Sequence, residues 1–336
     1  MNHLGSIPDR SADARTLRLS SDREGMTLGA RLLREGRLVA FPTETVYGLG
    51  ADATNASAVA GIFEAKERPR FNPLIAHVPN LAAARCEGVF DEVAVALAEA
   101  FWPGPLTVVV PASDGGTVCD LARAGLASVA LRVPGSALAR DLLAAVGRPV
   151  AAPSANRSGR LSPTSAAHVL ADLDGRIAAV IDGGSAPVGL ESTVVACLGG
   201  RPRLLRPGGV TRDALERVLG DVVDGPDDPV VAAPVAPGLL ASHYAPRARV
   251  RLEAVSVERG EAVLLFGAER PAGLSDAVAW EDLSRSGDLV EAAAGLFAAL
   301  RRLDATGADV IAVGPIPRTG LGEAINNRLH RAAAAR

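Results

Sequence analysis

Five clusters of small polar residues and prolines, each lying near a basic residue, hold the side chains that offer chemistry. PTETVYGLG (42–50) places the hydroxyls of Thr43 and Thr45 just past a buried strand, and its Gly48 and Gly50 let backbone come close to a ligand. KERPRFNPLIAH (66–77) gathers Lys66, Arg68 and Arg70 at a helix end, with Asn72 and His77 near the next strand. Those cations suit the negative end of a helix dipole. The Pro69 and Pro73 pair also makes a rigid loop fit for fixed phosphate contacts. SVALRVP (128–134) sets Ser128 and Arg132 on one face of a strand, because residues four apart point the same way. An arginine in an apolar strand needs a partner. A buried ion pair and a substrate carboxylate serve equally on charge alone. APSANRSGRLSPT (152–164) adds Ser154 and Ser162, and LESTVV (190–195) with LLRPGG (204–209) adds Ser192 and Arg206.

These clusters are rich in cations and hydroxyls and show no obvious nucleophile. His77, His168 and His243 lack metal-ligand spacing, no Ser-His-Asp order stands out, and no GxxxxGKS/T phosphate loop is present. The pattern suits adenylyl transfer, where the substrate is its own nucleophile and the protein positions groups and neutralises charge. Lys66 is the only lysine among 35 basic residues, which marks a place where a compact ammonium does what a guanidinium cannot, or simply reflects a bias toward arginine.

Positioning falls to alternating short elements. Helices are expected at 27–36, 56–68, 91–102, 136–147 and 211–220, with one near 164–173. Strands are expected at 38–41, 74–78, 106–110, 128–133, 149–152, 178–182, 192–195 and 203–206. They lack a regular βαβ beat, so the expectation is an α/β domain with a mixed sheet flanked by helices. A Pro-rich linker follows, and after it a smaller α/β unit of Rossmann-like character without GxGxxG. The division reads as a disordered leader over 1–20, a catalytic domain over 21–220, a linker over 221–246 and a C-terminal domain over 247–336.

Composition narrows the class. Of 336 residues 48% are hydrophobic and 22% charged, so two cores are affordable in length. The formal net charge of −3 gives no global basic footprint for nucleic acid, and 3% aromatic residues leave few stacking platforms for RNA. No apolar run reaches the ~20 residues of a membrane helix. The polar N-terminus lacks the apolar core of a signal peptide, so a cytoplasmic setting is expected. Cys86, Cys119 and Cys197 are too dispersed for a disulfide framework or a CxxC metal site.

In order, PTETVYGLG, KxRPxxNPLIxH, SxxxRxP, PSAN, ST-V, RPG and HYAP resemble the Sua5/YrdC family in its two-domain form. The motifs span about 25–246, and the tail through GLGEAINNRLHRAA (320–333) is similar to that family's C-terminal domain. The resemblance implies a YrdC-like twisted sheet with a positive cavity, joined to a smaller Rossmann-like domain. It also implies synthesis of L-threonylcarbamoyladenylate from L-threonine, bicarbonate and ATP with release of pyrophosphate, the first step of t6A modification at tRNA adenosine 37. Carried over, Thr45, His77, Arg132 and Ser192 hold L-threonine, while Lys66, Arg68, Asn72, Ser128, Ser154, Ser162 and Arg206 hold ATP. Lys66 and Arg68 would neutralise the departing pyrophosphate, and Mg2+ would ride on the phosphates without a carboxylate cage. The product would pass to a threonylcarbamoyl-transferase complex, with room for a weak direct contact with tRNA. One departure is APGLLASHYAP (236–246), whose Leu239, Leu240, Ala241 and Ser242 replace the family's basic linker residues. Tyr244 stays a candidate ATP contact. The linker is expected to close over the cavity as a lid, with Leu239 and Leu240 on the rim; the alternative is a passive spacer whose tyrosine packs on the second domain. A related carbamoyl-transferring hydrogenase-maturation protein needs paired CxxC motifs, which this chain lacks.

Overall fold

The computed structural model describes residues 15–69, 72–220 and 244–334. Its larger sheet holds β1 (Leu17–Ser20), β2 (Val39–Pro42), β3 (Tyr47–Asp52), β4 (Ile75–His77) and β5 (Leu106–Pro111). It is completed by β6 (Ser128–Arg132), β7 (Val150–Ala151), β8 (Ala179–Asp182), β9 (Thr193–Ala196) and β10 (Arg203–Arg206). The order is β1-β8-β2-β3-β7-β4-β6-β5-β9-β10, with parallel and antiparallel neighbours mixed as the missing βαβ beat implied.

The two-residue period of β2 shows why helices cover both faces. Val39 and Phe41 meet α1 (Arg23–Arg34) and α6 (Ala137–Val146), whereas Ala40 lies in the cluster of α2 (Ala56–Lys66) and α7 (Ala166–Leu173). Helix α1 begins four residues earlier than its periodicity suggested, because Asp22 accepts the Gly25 amide as an N-cap. The two glycines of YGLG serve this packing. A Cβ on Gly50 would lie 2.8 Å from the Phe41 ring and 3.0 Å from the Val39 carbonyl oxygen. One on Gly48 would lie 3.1 Å from the Ala152 Cβ.

The smaller sheet is all parallel: β11 (Arg249–Arg251), β12 (Ala262–Leu265), β13 (Ala279–Asp282) and β14 (Val310–Val313), in the order β11-β14-β12-β13. Helices α9 (Leu289–Asp304) and α10 (Leu321–Ala333) bury their apolar faces in the same core.

Three strands escaped the sequence: β1, β3 and β13, the second because the YGLG run reads as turn residues. Residues 17–20, placed above in a leader, form β1 in register with β8, Leu17 opposite Ala179. Strand β13 carries an exposed Trp280. Strands β1 and β13 are edge strands, so neither shows a buried alternation, whereas β3 is central and fully buried. Residues 1–14 and linker residues 221–243, with Leu239 and Leu240, lie outside the described residues. Tyr244 is described and is 1% exposed. Among the described residues no helix is long and apolar enough to cross a membrane.

The domains share an apolar cluster in which Val46, Leu161 and Leu190 of the first meet Tyr244, Leu296 and Phe297. Arg301 on α9 donates to Asp172 at 2.9 Å and to the Leu161 carbonyl, and Arg212 pairs with Glu323 at 2.8 Å.

Candidate active site

Strand direction brings distant residues to one end of the larger sheet. Strands β4 and β6 are parallel, and His77 sits opposite Arg132 at their C-terminal ends. Strand β5 is antiparallel to β6, and β9 is parallel to β5, so both begin at that end with Thr107 and Ser192. Strand β10 is antiparallel to β9 and ends there with Arg206. Ile75, Val109, Ala130, Val194, Ala196 and Leu205 make an apolar floor along these strands. Ser128, two residues before Ala130, and the Asn72–Pro73 entry to β4 mark the floor's other end.

At the first end, Arg132 is buried and its Nη2 reaches Glu44 Oε1 at 2.6 Å and Thr45 Oγ1 at 2.9 Å. Its Nε donates to the Gly104 carbonyl at 3.3 Å. A buried ion pair, one of the two readings left open by charge, is therefore present. Burial pushes the Glu44 carboxyl up, but Arg132 and the Gly135 amide hold it below its ordinary range. Among the described residues the Arg132 Nη1 makes no hydrogen bond, so the fork keeps donors to spare. His77 is buried with Nδ1 3.2 Å from the Ile75 carbonyl oxygen. A carbonyl only accepts, so Nδ1 carries the proton and Nε2 presents a lone pair. Burial, then the nearby Arg132 charge, brings the imidazole down to about 3, so it is neutral at physiological pH. Thr107 and Ser192 join hydroxyls at 2.7 Å, and Arg206 Nη2 donates to the Ser192 carbonyl at 2.8 Å and hydroxyl at 3.1 Å.

At the second end, Lys66 closes α2 with its ammonium on the carbonyls of Ser154 and Asn156. A compact ammonium suits this place between two carbonyls of one loop. Burial and the neighbouring Arg68 bring its pKa well below the ordinary lysine range. The Arg68 guanidinium, brought by burial to about 10, reaches the Pro73 carbonyl at 3.3 Å. Among the described residues its Nε and the Asn72 Oδ1 are buried without a partner. Buried polar atoms are paired in the great majority of cases, so this unpaired donor and acceptor suit polar groups of a ligand. Ser162 is buried and gives its hydroxyl to Glu191. Tyr244, far from standing out on a flap, is buried with its ring 5.7 Å from that of Phe297 and under the Arg328 guanidinium.

The comparisons follow this geometry. A family model described as "Telomere recombination", covering Sua5, YciO and YrdC, matches residues 31–208. A second, "Threonylcarbamoyl-AMP synthase, C-terminal domain", matches 210–334. The chain belongs to the Sua5/YrdC family. A Sua5/YrdC relative from Bacillus subtilis, threonylcarbamoyl-AMP synthase, is 43% identical over 331 residues, 95% of each chain. The structure of Pyrococcus abyssi Sua5 complexed with L-threonine superposes with a TM-score of 0.85 at 39% identity, over 95% of this chain and 97% of that one. Escherichia coli YciO, at 20% identity and a TM-score of 0.51, shares the fold over 57% of this chain and 95% of its own.

The sequence named the strand-borne polar residues and passed over four side chains bonded among them, Thr107, Glu44, Glu191 and Arg328. Thr107 lies in an apolar run, and Glu44 and Glu191 are acids inside PTETVYGLG and LESTVV. Arg328 had a readable signal: it sits among Ala324, Ile325, Leu329 and Ala332, the buried stripe of α10.

Proposed function

We propose that this chain condenses L-threonine, bicarbonate and ATP into L-threonylcarbamoyladenylate and pyrophosphate, supplying the first intermediate of t6A modification at tRNA adenosine 37. The observation that carries the reading is one apolar sheet face with unlike ends: an amino-acid-sized group of Thr45, His77, Arg132 and Ser192 at one, and Lys66, Arg68 and Asn72 at the other. Relatives named for this activity, and a solved neighbour holding L-threonine, support it.

In this reading Arg132 takes the threonine carboxylate on the donors left beside Glu44, and His77 Nε2 accepts from the substrate's hydroxyl or amine. The amine adds to bicarbonate, giving a carbamate and water. The carbamate oxygen then attacks the α-phosphorus, and pyrophosphate departs with its bridging electron pair. Ser128, Ser154, Ser162, Arg206 and Tyr244 line or support the nucleotide side. Lys66 braces the Ser154 loop with two of its three N–H groups and turns the third toward phosphate. Among the described residues no three of His, Cys, Asp and Glu converge to hold a metal ion. No step is derived through Mg2+, which enters as the companion of ATP. A cytoplasmic setting, a downstream transferase complex and a weak tRNA contact belong to the same proposal.

Pyrophosphate release should require L-threonine and bicarbonate together, and mass spectrometry should find the threonylcarbamoyl adenylate. Equal release with threonine omitted would overturn the reading.

A further inference from the structure

Arg328 is the largest fully buried side chain among the described residues, and it reaches the first domain from α10 of the second. Its Nε meets Glu191 Oε2 at 2.8 Å, and its Nη1 donates to the Pro207 carbonyl at 2.9 Å. Its carbon centre stands 5.2 Å from the centroid of the Tyr244 ring. Each contact leads to a different wall of the nucleotide side. Glu191 accepts the Ser162 hydroxyl, Pro207 follows Arg206, and Tyr244 lies at the seam of the two domains.

Cohesion alone does not call for this arrangement. A buried ion pair adds little net stability over apolar residues of similar size, because two charges must leave water. Among the described residues Arg328 also keeps Nη2 buried without a partner, a cost that simple docking of two cores would not need.

We infer that Arg328 is a positioning residue for the nucleotide end of the site, fixing Glu191, Pro207 and Tyr244 as one unit, so that the second domain completes the ATP subsite of the first. The inference rests on the nucleotide subsite proposed above; at the threonine end Arg132 is held by Glu44 and Thr45, both of the first domain.

The test removes both charges and keeps the acceptor for Ser162. In the full chain, Glu191→Gln with Arg328→Met should fold with a melting temperature close to wild type. Arg328→Met alone leaves Glu191 unpaired and should be less stable. Calorimetry with a non-hydrolysable ATP analogue should show affinity of the double variant reduced about tenfold, with L-threonine affinity within about twofold of wild type. Analogue affinity equal to wild type would make Arg328 a packing residue and overturn the inference. So would equal losses for analogue and threonine. The measurement reads binding alone, so a wild-type protein that forms no threonylcarbamoyl adenylate would sink the proposed reaction and leave this result standing.

Discussion

A neutral, buried imidazole with its Nδ1 proton on a backbone carbonyl is built to accept, and it makes the fold sensitive to acid. The folded His77 titrates near 3 and the unfolded one near 6.5, so the unfolded chain takes up a proton first as pH falls. Stability from this group is full above about 6.5 and is lost progressively toward 3; His168, lowered to about 4 by burial, acts in the same sense. His77→Asn should therefore lose less stability than wild type between pH 7 and pH 4 in urea titrations. Parallel losses would refute the assignment. At Arg132, lysine keeps the charge and discards the fork. Arg132→Lys should weaken threonine binding by about ten- to a hundredfold with ATP binding little changed; unchanged threonine affinity would leave Arg132 as the partner of Glu44 only. The sequence displayed these residues because polar groups interrupting apolar strands must have a purpose. It hid their partners, since Glu44 and Glu191 reach Arg132 and Arg328 only through the fold.

Glycine positions separate packing from propensity at the scale of elements. Gly50→Ala should cost about 1–3 kcal/mol by overpacking, since Phe41 and Val39 leave no room for a methyl group. Gly61 lies inside α2, where a Cβ would meet only Leu38 carbons at 3.6–3.7 Å. Gly61→Ala should gain about 0.4–1 kcal/mol. Chemical denaturation of the two variants checks both signs. Legibility followed burial here too. The central strands β2, β4, β5 and β6 were plain because both faces are covered; the equally buried β3 was hidden by its two glycines, and edge strands β1 and β13 and the short helices α3 (Leu81–Glu87) and α5 (Asp120–Arg123) gave too few buried positions to establish a period.

For the molecule as a whole, the shared cluster and the Arg301–Asp172 and Arg212–Glu323 pairs tie the two sheets into one unfolding unit. Calorimetry should show a single transition, and Leu161→Asp, which buries a charge in the seam, should split it in two. Two transitions in the wild type would show the seam to be weaker than its contacts imply. The division into domains was readable from the proline-rich stretch, but the seam was not, because its members come from five separated segments. The Glu191–Arg328 pair also gives the molecule a history. Glu191 leaves the ribosome with the first domain, and its partner is made 137 residues later. Until α10 arrives, the nascent domain carries a Glu191 carboxylate without its ion-pair partner and an uncovered flank of Val46, Leu161 and Leu190. A chain cut short before α10 therefore shows its incompleteness on its surface, where chaperones and proteases can read it.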